Sequence, residues 1–203
     1  MLFKPFALFA TLALGVVSAI AIPTASDNAV EKRAKPAGIA KIFADATTAL
    51  TPHTQQLQAL TSSQLTTSTV QPIANNIMST LNTAVSQTQA LLGQPISVVL
   101  ATVDGTAVLT VTEVSVIVSE LVHLILGAIA VLLKFPFFEI QFLLVNIGQL
   151  VGTLVNTVIL VTDGLLFGLQ VAIAGLLTDV EFVITDLGLT ILGGLLGLLG
   201  IIL

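Results

Sequence analysis

Two histidines, His53 and His123, are the only side chains of the 203-residue chain whose ordinary pKa lies near neutrality. There is no cysteine to serve as a thiolate nucleophile, a metal ligand or half of a disulfide. His123 lies within Leu121 to Leu126, one helical turn after Ser119. A serine and a histidine at that spacing are the minimum for an activated hydroxyl nucleophile. No Gly-x-Ser-x-Gly elbow surrounds Ser119, so the expectation for His123 is a structural histidine. His53 falls in a Thr/Gln-rich stretch and is expected in water. Asp179, Glu181 and Asp186 form the tightest acidic group, but calcium loops need denser oxygen ligands at turn-forming spacing. A polar bend between two apolar helices is the expected role of these three acids. Lys134 is the only base in the second half, with Glu120 and Glu139 as possible partners. Phosphate-loop, dinucleotide, zinc and EF-hand spacings are all missing. The reading is therefore of no catalytic residue, no cofactor and no metal site, and of a protein that is not an enzyme.

The chemistry that the sequence does invite is proteolytic processing. A basic start, Met1 to Lys4, precedes the uncharged apolar run Pro5 to Val17, and Ala19-Ile20-Ala21 supplies a small-x-small cleavage pattern. Residues 1–21 are expected to be a signal peptide cut after Ala21. Residues 22–33 end in Lys32-Arg33, a dibasic site of the kind that kexin-type proteases of the fungal secretory pathway cut, and are expected to be a propeptide. The mature chain would begin at Ala34. Secretion permits disulfides, but none can form here, so stability must come from packing, a surface or a partner. No Asn-x-Ser/Thr sequon occurs, and Ser and Thr between Thr47 and Thr88 are candidate O-glycan carriers.

Charge is scarce. From Ala34 onward there are three Lys/Arg (Lys35, Lys41, Lys134) against nine Asp/Glu. That excludes a basic nucleic-acid footprint and argues against electrostatic docking on anionic lipid. Apolar residues are distributed unevenly. Leu, Ile, Val and Phe make up 18 of the 67 residues from Ala34 to Leu100 and 57 of the 103 from Ala101 to Leu203.

The elements that must carry this pattern are helices. Ile39, Ile42, Phe43, Ala46 and Leu50 recur at helical spacing and predict a helix over Ala37 to Leu50, with a break or new start at Thr51-Pro52. Ile73, Ile77, Leu81, Ala84 or Val85, and Leu91 predict an amphipathic helix over Val70 to Leu92, ended by Gly93-Gln94-Pro95. Ile96 to Val118 is rich in Val, Ile and Thr, yet lacks hairpin punctuation apart from Asp104-Gly105. Long helices are the reading for this segment and for the rest of the chain, with breaks at Asp104-Gly105, Phe135-Pro136, Asp163-Gly164 and Thr178 to Asp186. Three glycine pairs at four-residue spacing, Gly148/Gly152, Gly164/Gly168 and Gly193/Gly197, could notch helices for close approach. The fold class is thus all-α: amphipathic helices in the polar region 34–95, then a very hydrophobic, Gly-notched helical region 96–203.

Ile140 to Thr162 is long enough to cross a membrane, but Asn146, Gln149 and Asn156 interrupt it, and the flanks lack clustered Lys/Arg. The signal ending Ala19-Ile20-Ala21, the Lys32-Arg33 site, the absence of cysteine and the polar-then-apolar layout resemble a cysteine-free, secreted structural protein family of mushroom-forming fungi. Hydrophobins are excluded, because their eight-cysteine framework is missing. The resemblance implies an extracellular or cell-wall location and a role in aerial hyphae formation and attachment to hydrophobic surfaces. The partners expected are further copies of the chain, hydrophobic surfaces or interfaces, and cell-wall polysaccharide or lipid. An integral membrane protein and a lipid-binding helical module are the alternatives.

Overall fold

The computed structural model describes residues 37–135, 139–162, 166, 168–195 and 197. Among them every regular element is helical: α1 (Ile39–Gln58), α2 (Thr67–Gln89), α3 (Ile96–Val99), α4 (Val111–Leu132), α5 (Gln141–Val161), α6 (Leu169–Leu176), α7 (Glu181–Asp186) and α8 (Thr190–Leu195). The expected all-α class holds. Among the described residues the sole strand-like feature is an isolated antiparallel bridge between Ala101 and Val108.

The helices stack as three hairpins. In the first, α1 packs on α2, and this pair then lies against the second, with α1 on α4 and α2 on α5. The third, α6 to α8, covers the same central pair, with α6 on α4 and α8 on α5. Hydrogen bonds and close approaches fix the directions. Backbone around Val98 and Ala101 abuts Gly38, so α1 and α4 start at one end of the stack. The Thr67 hydroxyl reaches the Glu139 carbonyl, so α2 and α5 both start at the other end. One apolar cluster runs from Ile39 in α1 to Leu192 in α8, uniting the polar and apolar regions of the sequence in a single core.

Local chemistry sets the boundaries. In α1, Ile39, Ile42, Phe43, Ala46, Leu50 and Leu57 are buried, and the helix continues through Pro52 to Gln58 instead of breaking there. Proline removes one helical N–H, and the uncharged apolar stripe on either side outweighs that loss. Gly93 ends the turn after α2 at φ +76°, a conformation that glycine adopts without a Cβ clash. The Val/Ile/Thr-rich segment from Ile96 to Val118 breaks around Asp104-Gly105 as expected, but its first part is shorter than the long helix expected there. It forms the single turn α3, a bridged loop, and then the start of α4. Asp104 organises the loop by accepting hydrogen bonds from the hydroxyls of Thr102 and Thr106 and from the Thr106 N–H. Thr110 caps α4 in a reciprocal box: Glu113 N–H donates to the Thr110 hydroxyl, and Thr110 N–H donates to the Glu113 carboxylate.

Among the described residues, one of the expected glycine pairs notches a helix. A Cβ on Gly148 would fall 2.5 Å from the Leu189 side chain, and one on Gly152 would fall 3.1 Å from the Leu192 backbone N. The third hairpin approaches α5 through that notch. Gly168 and Gly197 instead take positive φ at turns, and Gly164 lies outside the described residues. Among the described residues of the apolar run from Leu187, a turn at Gly188, with φ +61°, precedes the short α8.

These contacts make glycine substitutions diverge. Gly152→Val is expected to destabilise the fold by about 1–3 kcal/mol through overpacking against α8. Gly127 lies inside α4 with nothing within 4 Å of the place a Cβ would take, so Gly127→Ala is expected to stabilise by about 0.5–1 kcal/mol. Urea unfolding followed by circular dichroism measures both; equal effects of the same sign would contradict the packing.

Candidate functional site

The candidate nucleophile pair is taken apart by the fold. Ser119 is buried, and its hydroxyl donates to the Val116 carbonyl at 2.9 Å. A helical serine with no better acceptor bonds back to its own helix in this way. His123 turns elsewhere: its Nε2 meets Asp179 Oδ1 at 2.7 Å, joining α4 to the turn between α6 and α7. Asp179 is mostly exposed and His123 about one-third exposed. The hydrogen bond from His123, reinforced by its charge, holds the Asp179 carboxyl below the usual carboxylate range.

The other candidates also separate. Asp179 lies on a single 3-10 turn, Thr178–Val180, while Glu181 opens α7 and Asp186 closes it. No group of three potential metal ligands forms among the described residues. Of the three acids expected to form a polar bend between apolar helices, Asp179 lies in the turn, while Glu181 and Asp186 are the ends of a helix. His53 departs from the expectation of full solvation. It is half-buried in α1, and its Nδ1 is enclosed without a partner among the described residues, as is Gln149 Oε1 in α5. Among the described residues no ion pair joins Lys134 to Glu120 or Glu139; the pairs formed are Lys41 with Asp45 and His123 with Asp179. The processing residues Ala21, Lys32 and Arg33, and Pro136 to Phe138 of the aromatic corner, lie outside the described residues.

What remains is two contrasting surfaces. The outer face of α1 and α2 presents Thr, Ser, Asn and Gln almost without charge. A cavity of about 270 Å³ opens between these helices beside Ala46, Ala49, Ser79, Thr83 and Gln87, where small side chains leave room. Many of the helical hydroxyls are turned inward to carbonyls one turn back, including Thr48, Thr51, Thr80, Thr83 and Ser86. On the third hairpin, Val171, Leu176, Phe182 and Ile191 are exposed, Val171 by 76% and Phe182 by 52%. A second exposed apolar group of four, Leu92, Ile96, Val103 and Val108, lies where α2 ends and the bridged loop begins.

Sequence reasoning passed over two features. The Thr110-x-x-Glu113 spacing before an apolar run is a legible capping signature. The His123–Asp179 pair had no local signal, because 56 residues separate its members. No protein-family description, no curated protein and no solved structure matches the chain.

Among the described residues, hydrogen bonds hold three carboxylates below their ordinary pKa. Asp104 is drawn from 3.8 down to about 2 by Thr102 and Thr106, while Thr110 lowers Glu113 and His123 lowers Asp179. Groups whose folded pKa is depressed add stability that is complete above the unfolded value and is lost as pH falls through the folded one. The urea midpoint is therefore expected to be level from about pH 7 to 5 and to fall between about pH 4 and 2. In Asp104→Ala the midpoint should be lower at neutral pH and should fall less on acidification. An unchanged acid slope in that variant would refute the assignment.

Proposed function

We propose that this chain is an extracellular structural protein of a fungal cell wall or hyphal surface, acting as an amphiphile between a hydrated matrix and apolar interfaces. The observation that carries this reading is the division of the stack. A polar hairpin, α1–α2, charged only at Lys41 and Asp45, covers one side of the α4–α5 pair, and a hairpin with exposed Val171, Leu176, Phe182 and Ile191 covers it elsewhere. The low charge and the resemblance in layout to the fungal structural proteins agree with it. The polar hairpin faces water or wall polysaccharide, and the third hairpin meets the hydrophobic surface or another copy of the chain.

The magnitude of this effect follows from area. Fully burying a large apolar side chain yields about 1.5–3 kcal/mol, so four partly exposed ones yield roughly 3–6 kcal/mol together. That corresponds to weak, reversible adsorption of a single folded molecule. Firm attachment then comes from many molecules side by side, or from the third hairpin lifting off α4 and α5 at the interface. Both α4 and α5 are long and apolar enough to cross a membrane, but more than half of each is buried within the fold. The packing on both helices supports a soluble core over a membrane span.

The test is adsorption of the mature chain, Ala34 to Leu203, to a hydrophobic sensor together with its surface tension. The wild type is expected to adsorb and to lower the tension. The double variant Val171→Ser with Phe182→Ser should adsorb about tenfold less at equal concentration while keeping its helical spectrum. A monodisperse protein that neither adsorbs nor lowers the tension would overturn the proposal.

A further inference from the structure

The segment between α1 and α2 differs from every other hydroxyl-rich part of the chain. Over Thr61 to Thr69 it carries seven Ser or Thr in nine residues. Apart from half-buried Leu65 and Thr69, all of these residues are exposed. Elsewhere most of the hydroxyls are committed. On α1 and α2, Thr48, Thr51, Thr80 and Thr83 donate to carbonyls one turn back, and Thr102 and Thr106 donate to Asp104. In this segment they meet mainly one another or Gln64 at the surface: Thr61 with Ser63 and Gln64, and Thr66 with Ser68 and Thr69. Such contacts exchange readily with water. Thr67 and Ser68 occupy the first turn of α2, where no preceding turn offers a carbonyl, and Thr67 makes only a long contact of 3.4 Å to the Glu139 carbonyl.

Backbone shape adds a second argument. Thr61 (φ −91°, ψ 163°) and Thr66 (φ −109°, ψ 154°) are extended and flank the single 3-10 turn Ser62–Gln64. An enzyme that modifies a side chain needs the backbone beside it to enter a cleft, which a short surface connection does more readily than the middle of a packed helix. The chain has no N-glycosylation sequon and few charges, so it lacks the usual means of hydrating a surface next to apolar faces.

We infer that Thr61, Ser62, Ser63, Thr66, Thr67 and Ser68 form an O-glycosylation site, an array of acceptor hydroxyls for a secretory-pathway glycosyltransferase. The inference rests on the extracellular reading above and narrows the candidate region from Thr47–Thr88 to this connection. In the reaction, a Ser or Thr Oγ attacks the anomeric carbon of a sugar activated as a phosphate ester. The C1–Oγ bond forms as the bond from C1 to the phosphate oxygen breaks. The hydroxyl proton passes to a base of the transferase, and the phosphate departs with the bonding electron pair. The sugars then extend the polar hairpin at the end of the stack where α2 and α5 begin.

The experiment expresses the full chain with its own leader in a secreting eukaryotic host. It compares the intact mass of the secreted protein with the mass expected from sequence and maps any increments by electron-transfer fragmentation. Hexose-sized increments on the peptide spanning Thr61 to Ser68 are expected. They should disappear when Ser62, Ser63, Thr67 and Ser68 are changed to Ala together with Thr61→Asn and Thr66→Asn, which keep helix-capping side chains. A second variant leaves both Thr in place and changes only the other four residues. It is expected to retain sugar on Thr61 or Thr66 alone, and its circular dichroism reports whether the fold is kept. Secreted protein of unmodified mass, or sugar confined to α1 and to the part of α2 beyond Thr69, overturns the site while leaving the extracellular reading standing. Protein retained in the cell and absent from medium and wall overturns both.

Discussion

Helices α4 and α5 carry apolar side chains around most of their circumference, and they are stable in water only if protein covers them on more than one side. In α4 the buried positions include Val114, Val118, Leu121, Val122, Ile125, Leu126, Ile129 and Leu132, leaving a narrow wet stripe through Glu113, Val116 and Glu120. A helix of that kind has two physical solutions, a membrane or a middle layer. Here α1 and α2 supply one cover, and α6 to α8 supply another. The remaining architecture follows from this requirement. It explains why the first hairpin needs an apolar inner stripe, and why the third follows α5 closely enough to need glycine at 148 and 152.

Polar groups are satisfied with very little charge. The ion pair Lys41–Asp45 is exposed and contributes little to stability. The stabilising polar contacts are short-range: hydroxyls bonding back along their own helices, the Thr110–Glu113 box, and the Asp104 loop. Such contacts depend weakly on salt and strongly on the ionised state of a few carboxylates. Among the described residues, the long-range exceptions are Thr67 with the Glu139 carbonyl, Gln170 with the Leu195 carbonyl, and His123 with Asp179, which ties the third hairpin to α4.

The same layering governs how an amphiphile could work. Most of the hydrophobic half is committed to internal packing, so the apolar surface presented outward by the described residues is limited to scattered side chains: those on the last hairpin, those at one end of the stack, and Val116, Phe142 and Leu160 on α4 and α5. Interfacial activity in such a molecule depends on molecules acting together or on release of the outer hairpin, and not on a freely exposed tail. The polar hairpin keeps its small-residue cavity and its hydroxyl-rich connection on the hydrated side.

By itself the sequence determined the helical class, the two amphipathic helices, the span of α5 and the poverty of charge. Each of these is written in local periodicity or composition, as Ile39, Ile42, Phe43, Ala46 and Leu50 illustrate. Capping at Thr110 and the turn at Gly93 were local too. Tertiary structure decided what local pattern cannot. Pro52 stayed inside α1, since packing of Leu50 and Leu57 on both sides outweighs one missing hydrogen bond. Of the glycine pairs, Gly148 and Gly152 became the notch, because there another hairpin arrives. Ser119 and His123, neighbours in sequence, were sent to different partners, and Asp179 was brought to His123 from a distant turn. Which of several apolar surfaces a helix meets is set by the total area that the whole chain can bury, a quantity no single segment contains.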